Sequence, residues 1–396
     1  MRTPFISGTN TAPSSTATTY FSIIAVGNGS STTENQRRFL IPGSYTLSSI
    51  SMLLDAAPGA GRSWTFTVQK NGVDTSITFS ITDTATTGSD LVNTVSFAAG
   101  DSITLKVVPA GTPAGTQMHW YLLAEGSNAI VCGGTGSNQP STTAVNYSMA
   151  QTASTLNATE TNRQQMCAVA GTMKNLYVQC NAAPGSGKSW GVTVVKNGTD
   201  TALTATIANT ATTSSDTSNT VTVAAGDRLS IKISPSGTPT ATEIYWGFEI
   251  TPTVDGESPM MYGFNSNPSA SATNYQHVCG TTVAWSATRG DRDGIAPAVE
   301  FRKLYAQVAT APGAGKSLAF TVYKGSVAQP LTTTISEANT SASDTSNSFT
   351  TAASDRISYE CVPSGTPTIS NTRIGMAAFI APTTTFTPKL PLLGVG

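Results

Sequence analysis

The chain has 396 residues, only 11% of them charged, and its 21 basic and 22 acidic side chains leave a net charge of -1. That balance excludes the basic excess of a nucleic-acid binder and the high net charge of a disordered acidic chain. Two His and five Cys exclude a histidine-rich metal centre and a disulfide scaffold.

The predicted elements in chain order are strands separated by small-residue turns. The first eleven residues read as an extended arm. An alternating stretch, Ile50/Met52/Leu54, predicts a half-buried strand. It leads into the turn Ala57-Pro58-Gly59-Ala60-Gly61. Trp64, Phe66 and Val68 then alternate with Thr65, Thr67 and Gln69, which puts one face in a core. Asn71-Gly72 supplies a two-residue hairpin turn, since both positions accept positive φ. Ala98-Ala99-Gly100-Asp101 introduces a further strand, Ile103/Leu105/Val107, and another lies around Trp120.

The same series then returns twice. Ala57–Trp64 recurs as Ala183–Trp190 and as Ala311–Leu318, at offsets of 126 and 128 residues. Ser89-Asp90, Ala98–Asp101 and Gly111-Thr112-Pro113 recur at the same two offsets. A period this long exceeds that of solenoid repeats, so each copy is large enough to own a core. The expected organisation is an N-terminal arm over 1–11 and a first repeat over 12–127. A linker with a second repeat covers 128–252, a linker with a third covers 253–381, and a C-terminal arm covers 382–396. The linkers are the stretches 126–141 and 254–269. No segment shows a sustained helical period. The fold class is therefore all-β: three tandem antiparallel sandwiches of about eight strands, jelly-roll-like, with extended terminal arms.

Chemistry-bearing residues are few. Gly187-Lys188-Ser189 and Gly315-Lys316-Ser317 mimic the end of a phosphate loop, but Ala182 and Thr310 stand where its first Gly belongs, and a strand follows instead of a helix. Cys167, Cys180 and Cys361 align with apolar residues of the other copies, Cys167 with Ile41 and Ile295, and read as buried thiols. Cys132 and Cys279 fall in irregular stretches and are expected nearer the surface. Asp90, Asp216 and Asp344, each three residues before an Asn, read as turn-forming carboxylates in preference to a Ca²⁺ site. Asp101, Asp227 and Asp355 read the same way. His119 aligns with Tyr245 and Arg373, which predicts an exposed, tolerant position. Trp120 and Trp246 read as core, and Tyr147, Tyr262 and Tyr275 as contacts between domains. No nucleophile, acid/base pair or metal-ligand spacing emerges, so no catalytic, cofactor or metal residue is assigned and no enzyme is expected. No apolar run is long enough to span a bilayer, and Met1–Gly8 lacks the apolar core of a cleaved signal. Neither membrane nor nucleic acid is expected as a partner.

The repeated string Ala-Pro-Gly-x-Gly-Lys-Ser-Trp, Thr-Val-x-Lys-Asn-Gly, Ser-Asp-Thr-x-Asn-Thr-Val, Ala-Ala-Gly-Asp and Pro-Ser-Gly-Thr-Pro resembles a β-sandwich repeat of tailed-bacteriophage virion structural proteins. The resemblance covers most of each unit; the third copy departs at Leu318, Gly325 and Ser354. It implies a virion component with a jelly-roll-like fold, does not choose the location on the particle and carries no site residue; a non-enzymatic part on the outer surface of the virion is the expectation. Three like sandwiches in one chain suit a threefold position on a shell. The expectation is a capsid decoration (cement) protein with the major capsid protein as partner. The alternative is a tail-fibre or head-fibre protein binding a host surface glycan.

Overall fold

The computed structural model describes residues 1–24, 29–153, 155–263, 266–280 and 283–382. Its first nine strands are β1 (Arg2–Gly8), β2 (Thr19–Phe21), β3 (Phe39–Leu40), β4 (Tyr45–Leu54), β5 (Gly59–Lys70), β6 (Val73–Asp83), β7 (Thr87–Phe97), β8 (Ser102–Ala110) and β9 (Met118–Glu125). One sheet has the order β1-β9-β4-β7; the other is β2-β8-β5-β6, with β3 also on β8. Apart from the β5–β6 hairpin, successive long strands therefore cross between two antiparallel sheets, the jelly-roll arrangement. The strands between Ala129 and Pro252 and those between Glu257 and Phe379 form two further sheet pairs with corresponding orders.

The alternation read from the sequence explains the packing. Trp64, Phe66 and Val68 from one sheet meet Leu47, Met52, Trp120 and Leu122 from the other, all buried. Each such side chain removed from water contributes about 1.5–3 kcal/mol. Trp120 and Trp246 are core residues whose indole N–H groups donate to the Ile23 and Ala150 carbonyls, at 3.0 and 2.9 Å. The hairpin turn is as the sequence predicts: Asn71 and Gly72 have φ of 53° and 78°, and Lys70 pairs with Val73. β4 departs from simple alternation. Ser49 has φ 55° and the register slips between Ser48 and Ile50; Asn175 and Lys303 repeat this bulge.

Three expectations need correction. Residues 1–11 do not form an arm: Arg2–Gly8 is an edge strand, paired along its length with β9, and Phe5 and Ile6 enter the core. The two linker stretches hold the equivalent strands, Ala129–Gly134 and Glu257–Tyr262, both buried. Their Gly, Ser and Pro content hid a strand buried on both faces, which shows no alternation. Finally, Cys167 matches Ile41 and Ala296 in the structure, not Ile295, because Cys167 and Ile41 make the same backbone bonds to the Asp turn and Ala296 accepts the matching one from Ser354. Residues 383–396, most of the expected C-terminal arm, lie outside the described residues.

Candidate functional site: the seams between the sandwiches

The short strand β3 does more than extend its own sheet. It lies against the middle sandwich, on strands Ala129–Gly134, Gly171–Cys180 and Ile244–Pro252. Its counterpart Gln165–Met166 lies on Glu257–Tyr262, Val299–Gln307 and Arg373–Phe379 of the third sandwich. The third counterpart, Gly294–Ala296, lies on β1 and β9 of the first. The contacts thus run first to middle, middle to third and third to first, and close on themselves.

Close backbone approach makes this possible. A Cβ added at Gly247 would stand 2.2 Å from the Leu40 carbonyl oxygen, and one at Gly375 would stand 2.2 Å from that of Met166. No side chain fits there. At the third seam Tyr121 occupies the corresponding position, and the close backbone approach is made on β1 instead: a Cβ at Gly8 would stand 2.7 Å from the Asp293 carbonyl oxygen. Apolar packing is continuous across this seam, since one cluster takes residues from both the first and third sandwiches.

Each seam has its own polar chemistry. Between first and middle, the Glu249 carboxylate is 4% exposed and is held by neutral donors. It accepts from Tyr45 Oη at 2.7 Å, Asn128 Nδ2 at 3.0 Å and Asn175 Nδ2 at 2.6 Å. Burial and the adjacent carboxylate push the Tyr45 hydroxyl far above its ordinary pKa, so it remains a donor. Between middle and third, the Gln151 and Gln165 amides serve the Pro259 and Met261 backbones at 2.9–3.2 Å. Between third and first, His119 Nδ1–H donates to the Asp293 carbonyl at 2.8 Å, and His119 Nε2 lies 3.2 Å from Asp55 Oδ1. Arg356 also donates to Asp55. Burial alone would raise the Asp55 pKa, but the bonds from His119 and Arg356 outweigh it and hold the group at about 2.

The His119, Tyr245 and Arg373 position is not exposed: the three residues are 0%, 0% and 2% accessible. Each points into a seam and reaches the turn that precedes the neighbour's short strand. Tyr245 donates to the Asn35 carbonyl, Arg373 donates to that of Thr161 at 2.6 Å, and His119 binds Asp293. Burial, with Arg228 nearby, lowers the Arg373 pKa to about 10. The position varies because each seam solves its own polar problem. The same logic assigns a role to Arg37, Arg163 and Arg292, which sequence reading passed over. Each guanidinium staples its loop by donating to backbone carbonyls, such as Gly29, Thr155 and Ala284. An Arg recurring after a Thr-rich stretch was the available signal.

The remaining candidates are structural. Asp90 Oδ1 accepts from the Val92 and Asn93 backbone, and Oδ2 from Thr78 N–H and Asn93 Nδ2, at 2.9–3.2 Å. Asp216 and Asp344 repeat all four bonds. These carboxylates close turns, as the spacing suggested. Gly187-Lys188-Ser189 lies inside the strand Gly185–Lys196. All five Cys are free and buried, so Cys132 and Cys279 are not nearer the surface; Cys132 stands in a buried strand, and Cys279 Sγ donates to the Ile6 carbonyl across the third seam. Tyr262 is buried beside Trp285 and Tyr359 within the third sandwich, whereas Tyr45 and Tyr245 hydrogen-bond across a seam. No group of three or more His, Cys, Asp or Glu among the described residues is placed to hold a metal. No described helix is long and apolar enough to cross a membrane. No family model and no curated protein matches this chain.

Proposed function

We propose that the protein is a non-enzymatic structural component of a bacteriophage virion, a decoration protein that sits on the outside of the capsid shell and takes the major capsid protein as its partner. The observation that supports this reading is the closed set of seams. Three like sandwiches, each docking its short strand on the next, present three related faces around one centre, the single-chain version of a trimer, and such an object complements a threefold position on a shell. The low charge fits a part whose carboxylates are spent on turns and seams. The experiment adds purified protein to shells that lack it and measures occupancy and resistance of the shells to heat. Saturable binding with increased heat resistance is expected; absence of shell binding refutes the reading.

A second reading, a fibre that binds a host surface glycan, is favoured by one observation. The outer face of each second sheet carries a row with the same Tyr and Thr pattern, Tyr20-Lys106-Thr67-Thr78, Tyr147-Lys232-Thr193-Thr204 and Tyr275-Glu360-Thr321-Thr332, with Glu360 replacing the lysine in the third. A half-exposed aromatic ring beside hydroxyls suits a sugar. Binding to host cells, with none to shells, selects this alternative.

A further inference from the structure

The two histidines of the chain meet at one seam. His119 stands on β9 and His277 follows the strand Asn274–Gln276 of the third sandwich. A Cβ added at Gly8 would lie 2.9 Å from His119 Nδ1 and 3.4 Å from His277 Cε1, so one glycine touches both rings. His277 is 2% exposed, and neither ring nitrogen has a hydrogen-bond partner among the described residues. The charged groups acting on it are Arg292, from the turn Arg289–Arg292, and His119, from β9. Asp293 directs its carbonyl to His119 and its carboxylate to Arg289 and Arg356, at 3.3 and 3.7 Å. Strand Asp355–Ser364 brings Arg356, already shared with Asp55 and Asp293, and the buried Tyr359. The only charge on β1, Arg2, pairs with Glu125 at the far end of that strand. Among the described residues, none is therefore placed as an acceptor for a second proton on the His277 ring.

We propose that the seam between the third and first sandwiches is an acid-operated latch, which protonation of His277 opens while the other two seams stay closed. A fully buried imidazole without an acceptor resists charging. Burial, with Arg292 and His119 adding repulsion, holds its pKa well below 6.5. Opening returns the ring to water and to ordinary basicity. The sign follows: above about pH 6.5 the closed form loses nothing, and below it each pH unit favours the open form by up to about tenfold, until the closed-state pKa is reached. Asp55, held at about 2, stays ionised through this window. The other two seams contain no histidine.

Cys279 reports the opening, because its thiol lies in this seam with Sγ on the Ile6 carbonyl at 2.9 Å. Cys167, buried in the middle sandwich, is the control. Native protein is reacted with 4,4′-dithiodipyridine at pH 7.5 and pH 5.0, and each thiol is followed by peptide mass mapping. Relative to Cys167, Cys279 is expected to react faster at pH 5.0, by up to about 30-fold, and His277→Gln abolishes the acceleration. Equal acceleration in that variant, or equal acceleration of Cys167, overturns the proposal. Should the variant fail to fold, imidazole Hε1 resonances of the unmodified protein decide it, with His119→Gln assigning the pair. A His277 midpoint well below 6.5 in the closed form is required; a midpoint near 6.5 overturns the latch.

Discussion

Gly247→Ala is the smallest change that attacks a seam without touching a core. The added methyl would sit 2.2 Å from the Leu40 oxygen, 3.0 Å from the Leu40 carbon and 3.3 Å from Pro42 Cδ. Two of the three obstacles are backbone, so no rotamer change relieves them. Restoring ordinary contact requires β3 to move away by more than 1 Å, and overpacking of this kind costs about 1–3 kcal/mol. Because Ile41 N–H donates to the Asp101 carbonyl and Gly100 N–H to that of Ile41, the displacement also strains the Asp turn. Hydrogen exchange resolved by peptide should show faster exchange over Phe39–Ile41 and over Ile244–Pro252, with a lower denaturation midpoint. Gly191→Ala is the matched control: its methyl would meet Ser234 atoms at 3.6 and 3.8 Å, an ordinary contact, so the change should be neutral or stabilise by a few tenths of a kcal/mol. If Gly247→Ala behaves like Gly191→Ala, the short strand does not hold the seam and the reasoning fails.

Removal of residues 1–8 should destabilise the first sandwich by several kcal/mol, since Phe5 and Ile6 leave the core at about 1.5–3 kcal/mol each; an unchanged urea midpoint would restore the arm interpretation. Asp90→Ala, Asp216→Ala and Asp344→Ala should each cost about 1–3 kcal/mol, because four acceptor bonds vanish from a turn, measured as denaturation midpoints of the single variants. The pKa of each of these carboxylates is lowered: burial opposes ionisation, but the Asn side-chain bond and the backbone N–H donors outweigh it. Their stabilisation is therefore complete above the ordinary carboxylate pKa of about 3.9 and is lost as pH falls through the lowered values, which a pH series of urea midpoints will show. Thiol labelling of native protein at neutral pH should be slow at all five Cys, with Cys180 first. Burial raises its pKa only to about 11, against about 12 for Cys167 and Cys279.

Local structure was legible wherever a residue's environment repeats in its own neighbourhood. Trp64/Phe66/Val68, the Asn-Gly hairpin and the Asp90 turn all obey rules of spacing within a few residues, and the structure has them where the sequence places them. The buried first strand of each sandwich was not legible, because a strand covered on both faces loses the period of two that marks a half-buried one. The seams were illegible for a different reason. His119, Tyr245 and Arg373 share a position but no chemistry, and divergence between copies reads as tolerance when it records three separate solutions to burial. Gly247 and Gly375 look like any other glycine in a chain with 35 of them, and only the approach of another backbone distinguishes them.

The most direct test of the account is a cryo-electron microscopy map of shells with the protein bound. The account predicts a three-lobed density on the outer surface at threefold or local threefold positions, each lobe fitting one sandwich and all three contacting the shell. Density confined to the tail or to a fibre, or shells left bare at saturating protein, would contradict it.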